Sequence, residues 1–403
     1  MNIQSRTTTA EAADYLEALA DELEIPEHRY ETAETSYTNL GNWLNRENST
    51  IRMFGPEVYS QGSFALGTVI APISAGEHYD IDAICEFKKL SKRDIAPKEL
   101  KRLLGVEVES YRKAQNMKKE AEEHRRCWRL EYADEAQFHM DITPGVPNSA
   151  AARAILERYN ADQTWATTAI AITDKESASY AIVSDDWLRS NPLGYRKWFH
   201  GRMAAAFEKR RMALQKGVRA GTEPLPDYKI RTPLQSSIMI LKRHRDIMFA
   251  NRADERPISI ILTTLAAHSY NGEENISGAL FAILTDMDKH ILRAPDGSHL
   301  IPNPTDPAEN FADKWAKHPE RAAAFVEWLA QARTDFARAA ALSNREMIVE
   351  SLAKGVGEGL ANRAKTRAIG KIAAPAVLSQ GLIRSEAQAR SSAVNLQGDR
   401  RNA

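Results

Sequence analysis

Cysteine is nearly missing from these 403 residues, with Cys85 and Cys127 the only two. Two thiols cannot build a disulfide-stapled scaffold or a four-ligand zinc site. Long apolar runs are missing as well, none approaching the ~18 residues needed to span a bilayer. The opening stretch MNIQSRTTTAEAADYLEAL has no signal-peptide core and reads as a capped helix. A reduced, cytoplasmic protein without membrane contact is therefore expected. Net charge is also lacking, since Lys plus Arg number 54 and Asp plus Glu number 54. Without a global basic field the chain cannot wrap DNA, and no DNA requirement is expected. The balance hides a local bias, because basic residues far outnumber acidic ones from Arg196 to Arg245. That stretch is either a solvated helix face or a wall that meets polyphosphate. Internal repeats are not seen.

What is present reads as two lobes. Leu16, Leu19 and Leu23 fall at helical spacing between about Thr9 and Ile25. A second helix follows Pro26, with the stripe Tyr30, Ala33, Tyr37, Leu40 and Leu44. Both read as packing helices. Strand patterns come next, at Thr68–Ile70, Tyr79–Phe87, Cys127–Tyr132 and Phe138–Thr143, the last two joined by an Asp134-Glu135 turn. A polar, Lys-rich helix is expected from about Pro97 to Arg125, and Pro144, Gly145 and Pro147 are expected to close the last strand. Residues 162–188 are uninformative. Glu223–Asp227 reads as a linker, and strong helices follow, among them 257–271 and 322–342. The expected division is a mixed α/β lobe at 1–215 with N-terminal helices, a helical lobe at 216–385 and a flexible tail at 386–403. The cleft between two such lobes is a common ligand site.

Three carboxylates carry the chemistry. In a strand, residues two apart face the same side, so Asp80 and Asp82 project together, about 7 Å apart at the backbone. Two such charges repel unless a cation lies between them, and hard oxygen donors suit Mg²⁺ or Mn²⁺. Asp141 sits inside the otherwise apolar strand Phe138-His-Met-Asp-Ile142, where an isolated acid would be costly. Three carboxylates on adjacent strands can hold two divalent ions roughly 4 Å apart, a pair suited to in-line phosphoryl displacement. Upstream, the Gln61-Gly62-Ser63 turn offers backbone N–H groups and a hydroxyl to phosphate. His139 reads as a packing residue directed away from Asp141, and Tyr79 and Tyr270 as core tyrosines with rings able to stack on a base.

Gly62-Ser63, Asp80-x-Asp82 and a strand-borne Asp141 together resemble the signature of the polymerase β nucleotidyltransferase superfamily. The wording is narrower still. Gln61-Gly-Ser-Phe-Ala-Leu-Gly-Thr68, His78-Tyr-Asp-Ile-Asp-Ala-Ile-Cys-Glu86, Cys127-Trp-Arg-Leu-Glu-Tyr132 and Phe138-His-Met-Asp-Ile-Thr-Pro144 resemble the cGAS-like bacterial CD-NTases. So do Ile240-Leu-Lys-Arg-His-Arg-Asp246, Pro257-Ile-Ser-Ile-Ile-Leu-Thr-Thr264, Asn303-Pro304 and Glu309-Asn-Phe311. The resemblance spans roughly residues 55–316.

It implies an α/β fold, with a polymerase β-like core of mixed sheet and helices, a C-terminal helical lobe and an active site between them. It implies that Asp80, Asp82 and Asp141 hold two Mg²⁺ or Mn²⁺ ions, with Asp141 helping to activate the acceptor hydroxyl. Gln61, Gly62, Ser63, Lys242 and Ser259 would meet nucleotide phosphates, and Arg129 would reach nucleotide or pair with a neighbouring acid. The implied substrates are ATP and GTP. The implied product is a cyclic oligonucleotide, favoured as a purine dinucleotide containing guanine, which activates a separate effector against phage (CBASS). A ubiquitin-transfer-like regulator would act at the C-terminus, Arg400-Arg-Asn-Ala403. Two other readings stay open here: another polymerase β branch that tails RNA or nucleotidylylates protein, and an inactive nucleotide- or RNA-binding scaffold.

Overall fold

The computed structural model describes residues 8–73, 79–132, 138–215 and 229–373. The expected Asp134-Glu135 turn, the Glu223–Asp227 linker, His78 and the tail from Ser385 lie outside the described residues. Seven strands form one sheet: β1 (Pro56–Gln61), β2 (Tyr79–Phe87), β3 (Glu122–Glu123), β4 (Trp128–Tyr132), β5 (Phe138–Pro147), β6 (Ile170–Ile172) and β7 (Leu188–Ser190). Their order is β1-β2-β5-β4-β3, with β6 pairing to β5 and β7 to β6. The β2–β5 pair is parallel and the other pairs are antiparallel. Twelve helices accompany the sheet among the described residues: α1 (Ala10–Leu23), α2 (Glu27–Leu44), α3 (Gly62–Leu66), α4 (Pro97–Ala114), α5 (Ser149–Arg158), α6 (Pro192–Gln215), α7 (Pro233–Met248), α8 (Ser259–Ser269), α9 (Ile276–Asp286), α10 (Pro319–Ala340), α11 (Arg345–Val356) and α12 (Glu358–Ala373).

Alternation along the strands separates two faces of the sheet. Ile81, Ala83, Leu130, Met140 and Ile142 turn inward and pack with Leu40 and Leu44 of α2 and Leu100, Leu104 and Val108 of α4. A second core joins α6 to α12, and α1 packs in it as well. Leu16, Leu19 and Leu23 are buried there, and the Tyr15 hydroxyl donates to the Ala361 carbonyl at 3.1 Å. The first helix of the chain therefore belongs to the helical core.

Three local expectations, on one strand and two element ends, are corrected. Thr68–Ile70 pairs with no strand among the described residues. Its backbone is held instead by α7, where Lys242 Nζ donates to the Thr68 carbonyl at 2.9 Å and Arg243 donates to the Ala71 carbonyl. The helix from Pro97 stops at Ala114, just before Asn116 adopts a left-handed φ of 53°. One of its lysines is not solvated. Lys101 is fully buried and donates to the Arg125 carbonyl at 2.9 Å. Finally, Pro144 does not end its strand, because β5 runs on to Pro147. The β4 neighbour has already ended opposite Ile142, and β6 joins from Gly145 onward. A proline is tolerated where one partner gives way to another.

Candidate active site

Strand registers turn separate motifs into one surface. Gln61 lies opposite Asp82, Asp82 opposite Asp141, and Asp141 opposite Arg129, so four strands contribute one polar row across the sheet. The neighbouring row on that face runs Asp80, His139, Glu131. Its alternate positions must carry polar groups, because the residues between them fill the core. His139 thus shares the face of Asp141, contrary to the expectation. Residues two apart along a strand cannot face opposite ways. Its Nδ1 stands 4.0 Å from Glu131 Oε2.

The chain leaves β1 through a turn that only glycine fits. Gly62 has φ 62°, and a Cβ there would stand 2.3 Å from Asp82 Oδ2. The glycine therefore lets α3 start directly over the carboxylate, with Ser63 beside it. The helix ends at Gly67, also left-handed at φ 63°, and Gln235 of α7 donates to the last carbonyl, Leu66, at 2.9 Å. The placement of Gln235 follows from its own sequence: Thr232, Pro233 and Gln235 form a capping box with proline in the first turn.

Across from the sheet, α7 and α8 supply the opposing wall. A cavity of about 430 Å³ is lined by Gly62, Ser63, Asp80 and Asp82 on one side and by Lys242, Arg245 and Ser259 on the other. Tyr79 also lines it, whereas Tyr270 is completely buried in the helical core. Ser259 is exposed at the first turn of α8, and its hydroxyl accepts from Arg245 Nη1 at 2.9 Å. The basic stretch is thus not a solvated face at α7. Lys242, Arg243 and Arg245 are all buried, and each donates to a backbone carbonyl.

The electrostatics of the row are unbalanced. The Asp82 carboxyl is pushed up to about 6, chiefly by burial and then by the charges of Asp141 and Asp80. Burial, reinforced by Arg245, pulls Lys242 down to about 8. Arg129 forms the one close ion pair with the three acids among the described residues. Its Nε and Nη2 donate to Asp141 Oδ1 and Oδ2 at 2.7 and 2.8 Å, and Nη2 stands 3.9 Å from Asp80. The pairing of Arg129 with a neighbouring acid is thus observed. With Asp141 turned to Arg129, no three carboxylate, histidine or cysteine groups among the described residues enclose a metal position by themselves. Asp80 and Asp82 still face the cavity and offer the hard oxygen donors a divalent cation takes. Cys85 and Cys127 are free thiols.

A second, larger cavity of about 880 Å³ adjoins the first, sharing Arg256 and Ile260 with it. Sequence patterns singled out few of its polar residues. Arg125 and Arg126 clamp Asp174, whose carboxyl is held near 2 because their hydrogen bonds and that of the Glu176 N–H outweigh its burial. Glu309 also lines this cavity, and accepts from Asn303 Nδ2 at 2.7 Å.

Residues 56–144 match a family described as "Cyclic GMP-AMP synthase DncV-like, nucleotidyltransferase domain". A c-di-GMP synthase from Roseivirga ehrenbergii is 32% identical over 321 residues, covering 78% of this chain and 76% of the relative. The cyclic dinucleotide synthase CdnG from Bradyrhizobium diazoefficiens is 25% identical over 323 residues, covering 75% of this chain and 71% of the relative. The solved structure of that CdnG in complex with GTP shares the fold, with a TM-score of 0.66 at 21% identity over 88% of this chain and 97% of the other.

Proposed function

The chain belongs to the bacterial CD-NTases, and on that premise we propose that it joins nucleoside triphosphates, GTP among them, into a cyclic dinucleotide. It is a nucleotidyltransferase of the polymerase β-like fold. The observation that carries the proposal is the strand-borne row Gln61, Asp82, Asp141, Arg129 with Asp80 beside it, from which Asp80 and Asp82 line one cavity with Lys242 and Ser259. A guanine product is supported by the relative named c-di-GMP synthase. It is supported too by the carboxylate of Glu309 in the second cavity, which suits a base edge rich in N–H donors.

In this reading Asp80, Asp82 and Asp141 hold two Mg²⁺ or Mn²⁺ ions, which when bound neutralise charge on the phosphates. Burial, and then the repulsion of Asp141 and Asp80, raises Asp82, and a cation at that place would offset both, so the residues fit such ions. Gln61, Gly62 and Ser63 meet the donor triphosphate from the start of α3. Lys242 and Ser259 meet it from the helical lobe. Asp141 orients an acceptor hydroxyl and takes its proton. The hydroxyl oxygen bonds to the α-phosphorus, the α–β phosphoanhydride bond breaks, and pyrophosphate leaves. A second such transfer closes the ring. Catalysis rests on positioning and charge, with no covalent enzyme intermediate.

The division stays a nucleotidyltransferase lobe at 1–215, a helical lobe at 216–385 and a tail at 386–403, with α1 and α6 of the first lobe packing into the core of the second. The product acts on a separate effector in antiviral defence, and a ubiquitin-transfer-like regulator engages the C-terminal end. Duplex DNA is not required, and the protein works in the cytoplasm. No helix among the described residues is long and apolar enough to cross a membrane.

Purified protein incubated with labelled GTP, ATP and their mixture, with Mg²⁺ and separately Mn²⁺, tests this. A phosphatase-resistant species with the mass of a cyclic dinucleotide, formed without primer, is expected. Label appearing only on added RNA or on protein would overturn the cyclase reading. Unchanged biological effect in an Asp80→Asn/Asp82→Asn double variant would favour a scaffold.

A further inference from the structure

Arg129 occupies the carboxylate that the proposed mechanism needs free. It is the cross-strand partner of Asp141, and its fork takes both carboxylate oxygens at 2.7 and 2.8 Å. A bidentate guanidinium–carboxylate pair is a strong, directional contact. The same guanidinium stands 3.9 Å from Asp80, at the edge of the cavity where a triphosphate would lie. Asp82 has no comparable partner among the described residues: Lys242, the cation facing it, gives its hydrogen bond to the Thr68 carbonyl. So one acid of the row is capped by a cation and another is left bare.

We propose that Arg129 is a substrate-displaced lock on Asp141, which leaves the carboxylate for nucleotide phosphate and thereby frees both oxygens. The physical reason is competition for one fork. A triphosphate presents more negative charge to Arg129 than one carboxylate does, and guanidinium matches phosphate oxygens as well as it matches carboxylate. While the fork stays on Asp141, a divalent cation is disfavoured there twice: each oxygen already gives one lone pair to the fork, and a positive charge stands in the way. Nucleotide binding and metal binding are thereby coupled, and the coupling is reciprocal. Free protein is kept from assembling a complete metal site without substrate. In this scheme Arg129 touches Asp141 in the free protein and phosphate in the complex. The inference rests on the proposed nucleotidyl-transfer reading and deepens it.

The test is Mn²⁺ binding by electron paramagnetic resonance, in the absence of nucleotide, on wild type, Arg129→Lys, Arg129→Gln and Asp82→Asn. Arg129→Gln is expected to take up Mn²⁺ about tenfold more tightly than wild type. Arg129→Lys, which keeps the charge but cannot fill both oxygens, should fall between them. Asp82→Asn should bind more weakly. If both Arg129 variants match wild type while Asp82→Asn weakens uptake, the lock is refuted and the metal site stands. If Asp82→Asn also changes nothing, the metal reading fails and takes the lock with it. A crystal structure of wild type with a non-cleavable GTP analogue supplies a measurement free of variants. Arg129 should be found on phosphate, and a guanidinium still bidentate on Asp141 would overturn the proposal even if a variant fails to fold.

Discussion

Glu107 on α4 and Asp82 on β2 are carboxylates of the same lobe, both taken largely out of water, yet they meet opposite surroundings. Glu107 accepts hydrogen bonds from the Thr50 N–H at 2.8 Å, the Thr50 hydroxyl at 2.7 Å and Arg46 at 2.7 Å. Burial alone would raise its pKa, but those donors win and hold it below the usual carboxylate range. Asp82 faces two further acids, and its pKa goes up to about 6. The lesson concerns where each charge finds its partner. A charge satisfied inside the fold contributes to stability. A charge left unsatisfied by the fold costs stability, and is retained for a partner that comes from outside.

The strongest way to break this comparison is Asp82→Asn. Nucleotidyl transfer should fall by on the order of a thousandfold or more, read from product formation per folded molecule. Chelator-treated Asp82→Asn protein should at the same time be more stable than wild type above pH 7, by about 2–3 kcal/mol. The sign follows from the shift. A carboxyl raised in the folded state stabilises the fold below its unfolded value of 3.8, and that contribution is lost as pH rises through about 6. Urea midpoints measured across pH would show wild type losing stability over that window relative to the variant. A variant less stable than wild type at pH 8 would sink the contrast.

Glu107→Ala should do the reverse. It leaves Arg46 and the Thr50 donors without their buried acceptor, and unfolding should become easier by roughly 3 kcal/mol. Turnover per folded molecule should be unchanged. The pH dependence is also inverted, since a depressed carboxyl contributes stability above its unfolded value of 4.5 and loses it as pH falls. Gly62→Ala sharpens the cleft side. The added Cβ meets Asp82 Oδ2 at 2.3 Å on a left-handed backbone, so turnover should drop about a hundredfold. Circular dichroism should be preserved. Wild-type turnover in Gly62→Ala would mean that the close approach of α3 to Asp82 has no functional weight.

Much of this site was legible in the sequence because a period of two is easily read and hard to disguise. Asp80-x-Asp82 within an apolar strand, and Asp141 within another, require one face polar and one buried, and the registers then align them. That Arg129 can pair with an acid was legible, but not that the acid is Asp141, because register across β4 and β5 depends on a connection that local pattern does not determine. Misplacing His139 was an error of counting, since it shares the parity of Asp141. Thr68–Ile70 looked like a strand because β-branched residues mark extended backbone, but extended backbone needs a partner, and α7 took its carbonyls. The same effect hid the burial of Lys242, Arg243, Arg245 and Lys101. A charged letter reads as solvent-facing until the carbonyls that receive it are known.

Ser259 gives the smallest expected effect and the finest version of the comparison, because it belongs to both classes at once. Its oxygen accepts from buried Arg245, a structural use, while its own proton remains available to a ligand in the cavity. Arg245 does not depend on that contact. It also donates to the Pro257 carbonyl at 3.1 Å and to Asp246 at 2.7 and 3.0 Å. Ser259→Ala should therefore change unfolding free energy by less than about 0.5 kcal/mol. Loss of one hydrogen bond to substrate should raise KM about fivefold, with kcat nearly unchanged. Should stability fall while KM stays constant, Ser259 belongs with Glu107 as a structural partner of its neighbours, and the cavity loses one of its contacts from the helical lobe.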